Sequence, residues 1–76
     1  MASPQLPLAM ASPDETVRVA RVRGGSDLRQ HLAELGFVEG SEVRVVSRAA
    51  GDVIVTVKGA RLALNRSMAS HITVSI

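Results

Sequence analysis

Residues 24–40 carry the strongest set of helix signals in this sequence, and the rest of the fold must accommodate the helix that they predict. Ser26 suits the N-cap position, because its hydroxyl can accept a hydrogen bond from a first-turn N–H. Three leucines follow at the spacing i, i+4, i+7, which puts them on one face of a helix. They are Leu28, Leu32 and Leu35. A short helix with one narrow apolar stripe needs tertiary packing, so we expect it to lie across other elements.

The same segment predicts where the helix ends. Gly36 suits the left-handed position after a helix, where a Cβ would be penalised. Phe37 comes next and can fold back on Leu32, which is the usual hydrophobic contact of that cap. Glu39 and Gly40 then indicate a turn. We therefore expect a sharp corner between the helix and the strand that follows it.

The rest of the chain alternates apolar and polar residues in short runs separated by turn signals, the pattern of β-strands. The first run, residues 17–22, changes parity at Val19 and Ala20, which predicts a β-bulge there. The other expected strands are residues 42–48, 53–58, 61–65 and 71–76, with a turn or single helical turn over residues 65–70. About five short strands at this spacing predict a mainly β fold. We expect a small SH3-like β-barrel with the helix between the first and second main strands, sealing one end.

The N-terminal residues are predicted to add little to this fold. We expect residues 1–5 to be loose and residues 6–76 to form one domain. Leu6, Leu8 and Met10 alternate, so they can form a short strand or a lid. Pro7 lacks an N–H and limits such a strand to the edge of a sheet.

Composition narrows the classes of function. A chain of 76 residues with 46% apolar content is one small compact domain. The pI near 10.5 suggests a nucleic-acid binder, but the net charge is only +2 and carboxylates alternate with the arginines. RNA-binding barrels usually stack bases on aromatic side chains, and Phe37 is the single aromatic residue. RNA binding is therefore kept only as a third hypothesis.

Targeting signals and cysteines are absent from the sequence. The first residues lack a basic region and contain three prolines, which is unlike a secretory signal. No apolar run approaches the roughly 20 residues that a membrane-spanning helix needs. The absence of cysteine excludes disulfides and thiolate metal sites within the chain. We expect a cytoplasmic protein.

The sequence holds little that suggests catalysis or a resident cofactor. Ser26, Asp27 and His31 contain the residue types of a catalytic triad, but there is no nucleophile elbow. We expect no enzyme, no catalytic residue and no cofactor. A dedicated metal site is not expected either, because such sites usually need three or four ligands. A metal-sensing module with His31 and Asp27 or Glu34 as ligands is kept as the alternative.

Surface recognition is the function that these exclusions leave. Residues of mixed charge lie off the leucine stripe and continue into the corner that follows the helix. Phe37 is predicted to be either a core residue or an interface anchor, since aromatic residues are enriched among such anchors. The expected partner-binding residues are Arg29, Glu34, Phe37, Val38 and Glu39.

The ordered set of motifs resembles the FeoA family over about residues 6–76. It consists of residues 23–25 (RGG), 31–37 (HLAELGF), 39–40 (EG), 43–47 (VRVVS), 51–52 (GD), 55–59 (VTVKG), 61–64 (RLAL) and 72–74 (ITV), after Pro7, Leu8 and Met10. The resemblance implies a small SH3-like barrel that acts as an accessory to the bacterial ferrous iron transporter FeoB, a membrane protein with a cytosolic GTP-binding domain. The same barrel is the C-terminal domain of iron- or manganese-responsive repressors, so the alternative is a metal-binding regulatory module of that type. Leu6, Leu8 and Met10 can pack on their own barrel or on another copy of the chain, so a homo-oligomer is left open.

Overall fold

The computed structural model describes residues 4–76, and they form one antiparallel sheet of six strands with two helices. The strands are β1 Gln5–Pro7, β2 Thr16–Val22, β3 Glu42–Ala49, β4 Asp52–Val57, β5 Ala60–Leu64 and β6 Ile72–Ser75. The helices are α1 Ser26–Glu34 and α2 Arg66–Ser70, and Leu8–Met10 forms a single 3₁₀ turn. The mainly β prediction is therefore confirmed, and α1 lies between the first two long strands. Within residues 4–76, no helix is long and apolar enough to cross a bilayer.

The strands are ordered β1-β6-β2-β3-β4-β5 across the sheet. The N-terminal segment adds the sixth strand, because Leu6 pairs with Val74 of β6. Pro7 therefore lies on an edge strand, as its missing N–H requires. β5 forms the other edge, and no ladder joins it to β1 within the described part of the chain. The sheet is open in hydrogen-bonding terms, so the closed barrel stays a prediction.

The extent of the loose N-terminus differs from the prediction. Residues 1–3 lie outside the described residues. Gln5 pairs with Ser75 of β6, and the N–H of Ile76 donates a 3.2 Å hydrogen bond to the carbonyl of Pro4. The N-terminal strand forms because β6 offers it a partner that is distant in sequence.

A bulge in β2 and a second one in β3 curve the sheet around a single core. The β2 register shifts between Val19 and Arg21, which confirms the predicted bulge. The β3 register shifts between Val45 and Ser47, and this second bulge was not predicted. Bulges bend a strand and increase its twist.

The core is built from valines of the inward strand faces, joined by residues of the 3₁₀ turn and of both helices. Its largest members are Phe37, Leu8, Leu32, Leu64, Ile72, Val43, Val45, Val53, Val55, Val57 and Val74. Two apolar residues of the last strands lie outside this core: Leu62 is only partly buried, and Ile76 is 58% exposed because it follows the end of β6. α2 packs against the 3₁₀ turn and against β4, β5 and β6, so this short helix also covers the core.

Helix α1 begins one residue earlier than predicted. Gly25 is the N-cap, with extended dihedral angles of −67° and 165°, and its carbonyl accepts a 3.0 Å hydrogen bond from the N–H of Arg29. Ser26 is the first helical residue and makes no capping hydrogen bond. Gly25 can take this position because glycine costs only a few tenths of a kcal/mol more than serine at an N-cap.

Candidate functional site

The corner after α1 is held by a complete helix-capping motif. The N–H of Phe37 donates to the carbonyl of Leu32 and the N–H of Gly36 donates to the carbonyl of Ala33, both at 3.0 Å. Gly36 has a φ of +110°, as the left-handed position requires. These two bonds define the Schellman motif, and they satisfy carbonyls that the helix end would leave without partners. The predicted helix end is therefore confirmed in detail.

A tight turn over residues 38–41 follows at once and is fastened to β2. The N–H of Ser41 donates to the carbonyl of Val38 at 2.9 Å, and Gly40 has the positive φ, +87°, that a type II turn needs at this position. Two hydrogen bonds of 2.8 Å then join the turn to Val19 of β2. The N–H of Gly40 donates to the carbonyl of Val19, and the N–H of Val19 donates to the carbonyl of Ser41. The turn is thus tied to the residue where the β2 bulge begins.

The Arg18 side chain adds a further tie to this corner. Its Nη1 donates a 3.0 Å hydrogen bond to the carbonyl of Gly40, and its Nη2 lies 3.7 Å from Oε2 of Glu42. Both side chains are more than half exposed, at 61% and 67%, so the ion pair contributes little to stability by itself. Sequence reasoning missed this role, because nothing in the local sequence connects residue 18 to residue 40.

Four of the five predicted partner-binding residues lie at the surface. Arg29 and Glu34 are exposed on α1, Val38 is 41% exposed and Glu39 is exposed at the tip of the turn. We call these four residues the corner surface. Val38 is its apolar member, and the other three residues carry charges of both signs.

Phe37 does not belong to the corner surface. Its side chain is only 1% exposed and forms part of the core with Leu32, which is fully buried. The prediction that Phe37 contacts a partner is therefore corrected. The Schellman turn directs Phe37 back over the helix, so its ring packs on the buried side of the corner.

The side chains proposed for a metal do not assemble into a ligand group. Within residues 4–76, no three residues of the types His, Cys, Asp and Glu lie together in a way that could hold an ion. His31 is exposed on α1, whereas His71 follows α2. The Nδ1 of His71 lies 2.7 Å from the carbonyl of Ser67, and this ring nitrogen must donate because a carbonyl only accepts.

Comparison with known proteins assigns the chain to a family. A family model described as the FeoA domain matches residues 6–76. A protein of Methanocaldococcus jannaschii named "Putative Fe(2+) transport protein A" is 35% identical over 68 residues, which is 90% of this chain and 83% of the relative.

Solved structures agree with this assignment. An iron uptake regulatory protein, FeoA, superposes with a TM-score of 0.85 at 28% identity, covering 93% of this chain and 95% of the other. Stenotrophomonas maltophilia FeoA, crystallised with zinc and described as a procaryotic SH3 domain protein, gives a TM-score of 0.78 at 30% identity, covering 90% and 87%.

A larger protein contains the same fold. A manganese-dependent transcriptional repressor superposes with a TM-score of 0.87 at 26% identity, covering 99% of this chain but 43% of the repressor. The family match extends over nearly all of the described residues and includes the capped helix and the corner surface. This chain belongs to the FeoA domain family.

Proposed function

We propose that this protein is a cytoplasmic, non-enzymatic accessory of ferrous iron uptake that docks on the cytosolic part of a FeoB-type membrane transporter. Membership of the FeoA family supports the link to iron. So do the printed names of the relatives, which include an Fe(2+) transport protein and an iron uptake regulatory protein. The SH3-like barrel belongs to the same proposal, and it is supported by the similarity to the S. maltophilia relative, which is described as an SH3 domain protein.

The observation that carries the proposal is the set of hydrogen bonds that holds the backbone of the corner. A surface that is already fixed before binding loses little conformational entropy on docking. The Schellman bonds, the type II turn and its two bonds to β2 fix the backbone on both sides of Val38 and Glu39. An exposed apolar residue together with charged ones also matches the composition of a protein interface, which combines apolar and polar side chains.

The alternative, a metal-binding regulatory module, has less support in this chain. The fold similarity to a manganese-dependent repressor and the zinc complex of a relative favour it. However, Asp27, His31 and Glu34 do not form a three-residue ligand group among residues 4–76. Calorimetry with Fe(II) or Mn(II) decides the question, and binding heat together with a thermal shift would favour this alternative over docking alone.

The test of docking is an NMR titration of ¹⁵N-labelled protein with the purified cytosolic domain of the cognate transporter, with and without a GTP analogue. We expect chemical-shift changes to cluster on residues 28–40. A double charge reversal, Arg29→Glu with Glu34→Arg, should weaken binding while the protein stays folded, because both side chains are exposed.

The matched control is Asp14→Arg with Arg61→Glu, which also exchanges one acid and one base, at exposed positions in the turn before β2 and on β5 that lie outside the corner surface. It should bind as the unchanged protein does. Equal binding by the folded Arg29/Glu34 variant would exclude the corner surface as the contact. No shifts in either nucleotide state would contradict docking on the cytosolic domain.

A further inference from the structure

A cleft between the 3₁₀ turn, the end of β3 and α2 is separate from the corner surface. Its larger part has a volume of about 390 Å³ and is lined by Pro7, Ala9, Met10, Arg48, Arg66 and Ser70. A neighbouring depression of about 290 Å³ extends it along the β3–β4 turn and is lined by Arg48, Ala49, Ala50, Gly51, Asp52 and Arg66. Two arginines therefore belong to both parts, and we call the whole the arginine cleft.

The bulge in β3 is what brings Arg48 into this cleft. Beyond the bulge Arg48 pairs directly with Val53, which in turn pairs with Leu64. Direct partners in adjacent strands project from the same face of a sheet, and Val53 and Leu64 face the core. Arg48 therefore projects from the core side of the sheet, at the rim. Without the bulge, strict alternation from Val45 would have placed Ser47 on that side instead. Re-aiming a side chain in this way is a known use of bulges beside functional sites.

Hydrogen bonds hold the side chain of Arg48 and the backbone of Arg66. Nη2 of Arg48 donates a hydrogen bond to the carbonyl of Ala9 in the 3₁₀ turn. Arg66 is the first residue of α2, which is capped by the Asn65 side chain, and its carbonyl accepts a 2.7 Å hydrogen bond from Oγ of Ser70. The remaining N–H groups of the two guanidiniums are available to a ligand.

The charges in the cleft are not balanced by the protein. Among residues 4–76 the one ion pair is Arg18 with Glu42, so neither cleft arginine has a carboxylate within 4.0 Å. The larger part of the cleft has no acidic residue in its lining, and Asp52 lines only the smaller depression. Two guanidiniums that share a cleft repel each other unless an anion lies between them.

We propose that the arginine cleft binds a phosphate monoester. A monoester carries about −1.5 to −2 charges at pH 7 and offers three acceptor oxygens, which matches two guanidinium groups. Planar guanidiniums bind phosphate oxygens in pairs, with charge-assisted hydrogen bonds. Pro7, Ala9 and Met10, which is 66% exposed, form an apolar wall on the other side and would hold the organic part of the ester. The ester can be a free soluble molecule or the headgroup of a lipid such as phosphatidic acid.

The experiment compares three probes by NMR at constant ionic strength: inorganic phosphate, phenyl phosphate, and vesicles containing phosphatidic acid beside vesicles of phosphatidylcholine alone. We expect saturable shifts on residues 48–52 and 66–70 with both soluble probes. Phenyl phosphate should bind more tightly, because its ring can contact the apolar wall. Soluble binding without vesicle binding identifies a free ester as the ligand, and binding to phosphatidic acid vesicles alone identifies a lipid headgroup.

Arg66→Gln should weaken binding about tenfold, the loss expected for one charge-assisted contact. Arg61→Gln is the matched control, since it removes the same charge from an exposed position on β5 outside the cleft. Met10→Gln should reduce the preference for phenyl phosphate over inorganic phosphate. The proposal is overturned when none of the three probes produces saturable shifts in the cleft. Equal losses in the folded Arg66 and Arg61 variants would overturn it as well, because they would show attraction by net charge alone.

Discussion

The backbone N–H of Phe37 donates a 3.0 Å hydrogen bond to the carbonyl oxygen of Leu32, and both side chains lie in the core. The hydrogen bond ends the helix and sets the direction in which the chain leaves it, and the two buried side chains anchor the helix end to the core. The next two residues, Val38 and Glu39, are carried to the surface by that geometry. The corner surface thus depends on two buried residues, neither of which can touch a partner.

Gly36→Ala should lower the free energy of unfolding by roughly 1–3 kcal/mol. Gly36 has a φ of +110°, and an added Cβ would lie 2.9 Å from Cγ of Lys58 and 3.3 Å from Cγ2 of Val57. Urea unfolding followed by circular dichroism measures the change. Gly25→Ser is the control, because Gly25 has a negative φ and open space around it, and serine at an N-cap should stabilise by a few tenths of a kcal/mol. Equal stability of the Gly36 variant and the unchanged protein would contradict the strained cap.

Phe37→Leu and Val38→Ala should separate packing from surface recognition. Phe37 is 1% exposed, so the smaller side chain should cost about 1–3 kcal/mol of stability through the lost contacts. Val38 is 41% exposed, and its truncation should change stability by at most about 0.5 kcal/mol. Thermal and urea unfolding of both variants give the comparison. A Phe37 variant as stable as the Val38 variant would show that the ring does not hold the corner.

Arg18→Met should destabilise the protein by about 1 kcal/mol, because it removes the charged donor that bonds the carbonyl of Gly40. Glu42→Gln should have a smaller effect, since the ion pair with Arg18 is largely exposed. Arg21→Met is the control for loss of one positive charge from the exposed side of β2. Chemical unfolding should rank Arg18→Met as the most destabilising of the three. A larger loss with Glu42→Gln would mean that the ion pair matters more than the carbonyl contact.

Asn65→Ala should cost about 1 kcal/mol, because the Asn65 side chain accepts a 2.8 Å hydrogen bond from the N–H of Met68 and caps α2. Asn65→Asp keeps an acceptor at the same place and should retain most of the stability. Hydrogen exchange at Met68 and Ala69 reports on the cap directly, and should accelerate in the alanine variant only. Unchanged exchange there would indicate that α2 is held by the packing of Ala69, which is fully buried, and not by its cap.

Features set by neighbouring residues could be predicted from the sequence. The end of α1 at Gly36, the turn at Gly40 and the bulge after Val19 were all predicted correctly. Each is decided by local sterics or by alternation within one strand: a residue without a Cβ takes a positive φ at low cost, and a change of parity requires an extra residue. The ordered motifs also identified the family, which the family model confirms over residues 6–76.

Features set by contacts between distant residues could not be predicted. The N-terminal strand exists because β6 offers Leu6 a partner, and Phe37 is buried because the capped chain folds back over the core. Arg18 reaches Gly40, and Arg48 faces the cleft because of a bulge whose register only the pairing with β4 defines. Local sequence determines which dihedral angles and which alternation are favourable. Which distant residues pair is decided only when long loops close and the sheet assembles. The energy of that pairing comes from contacts between segments, so no single segment contains it.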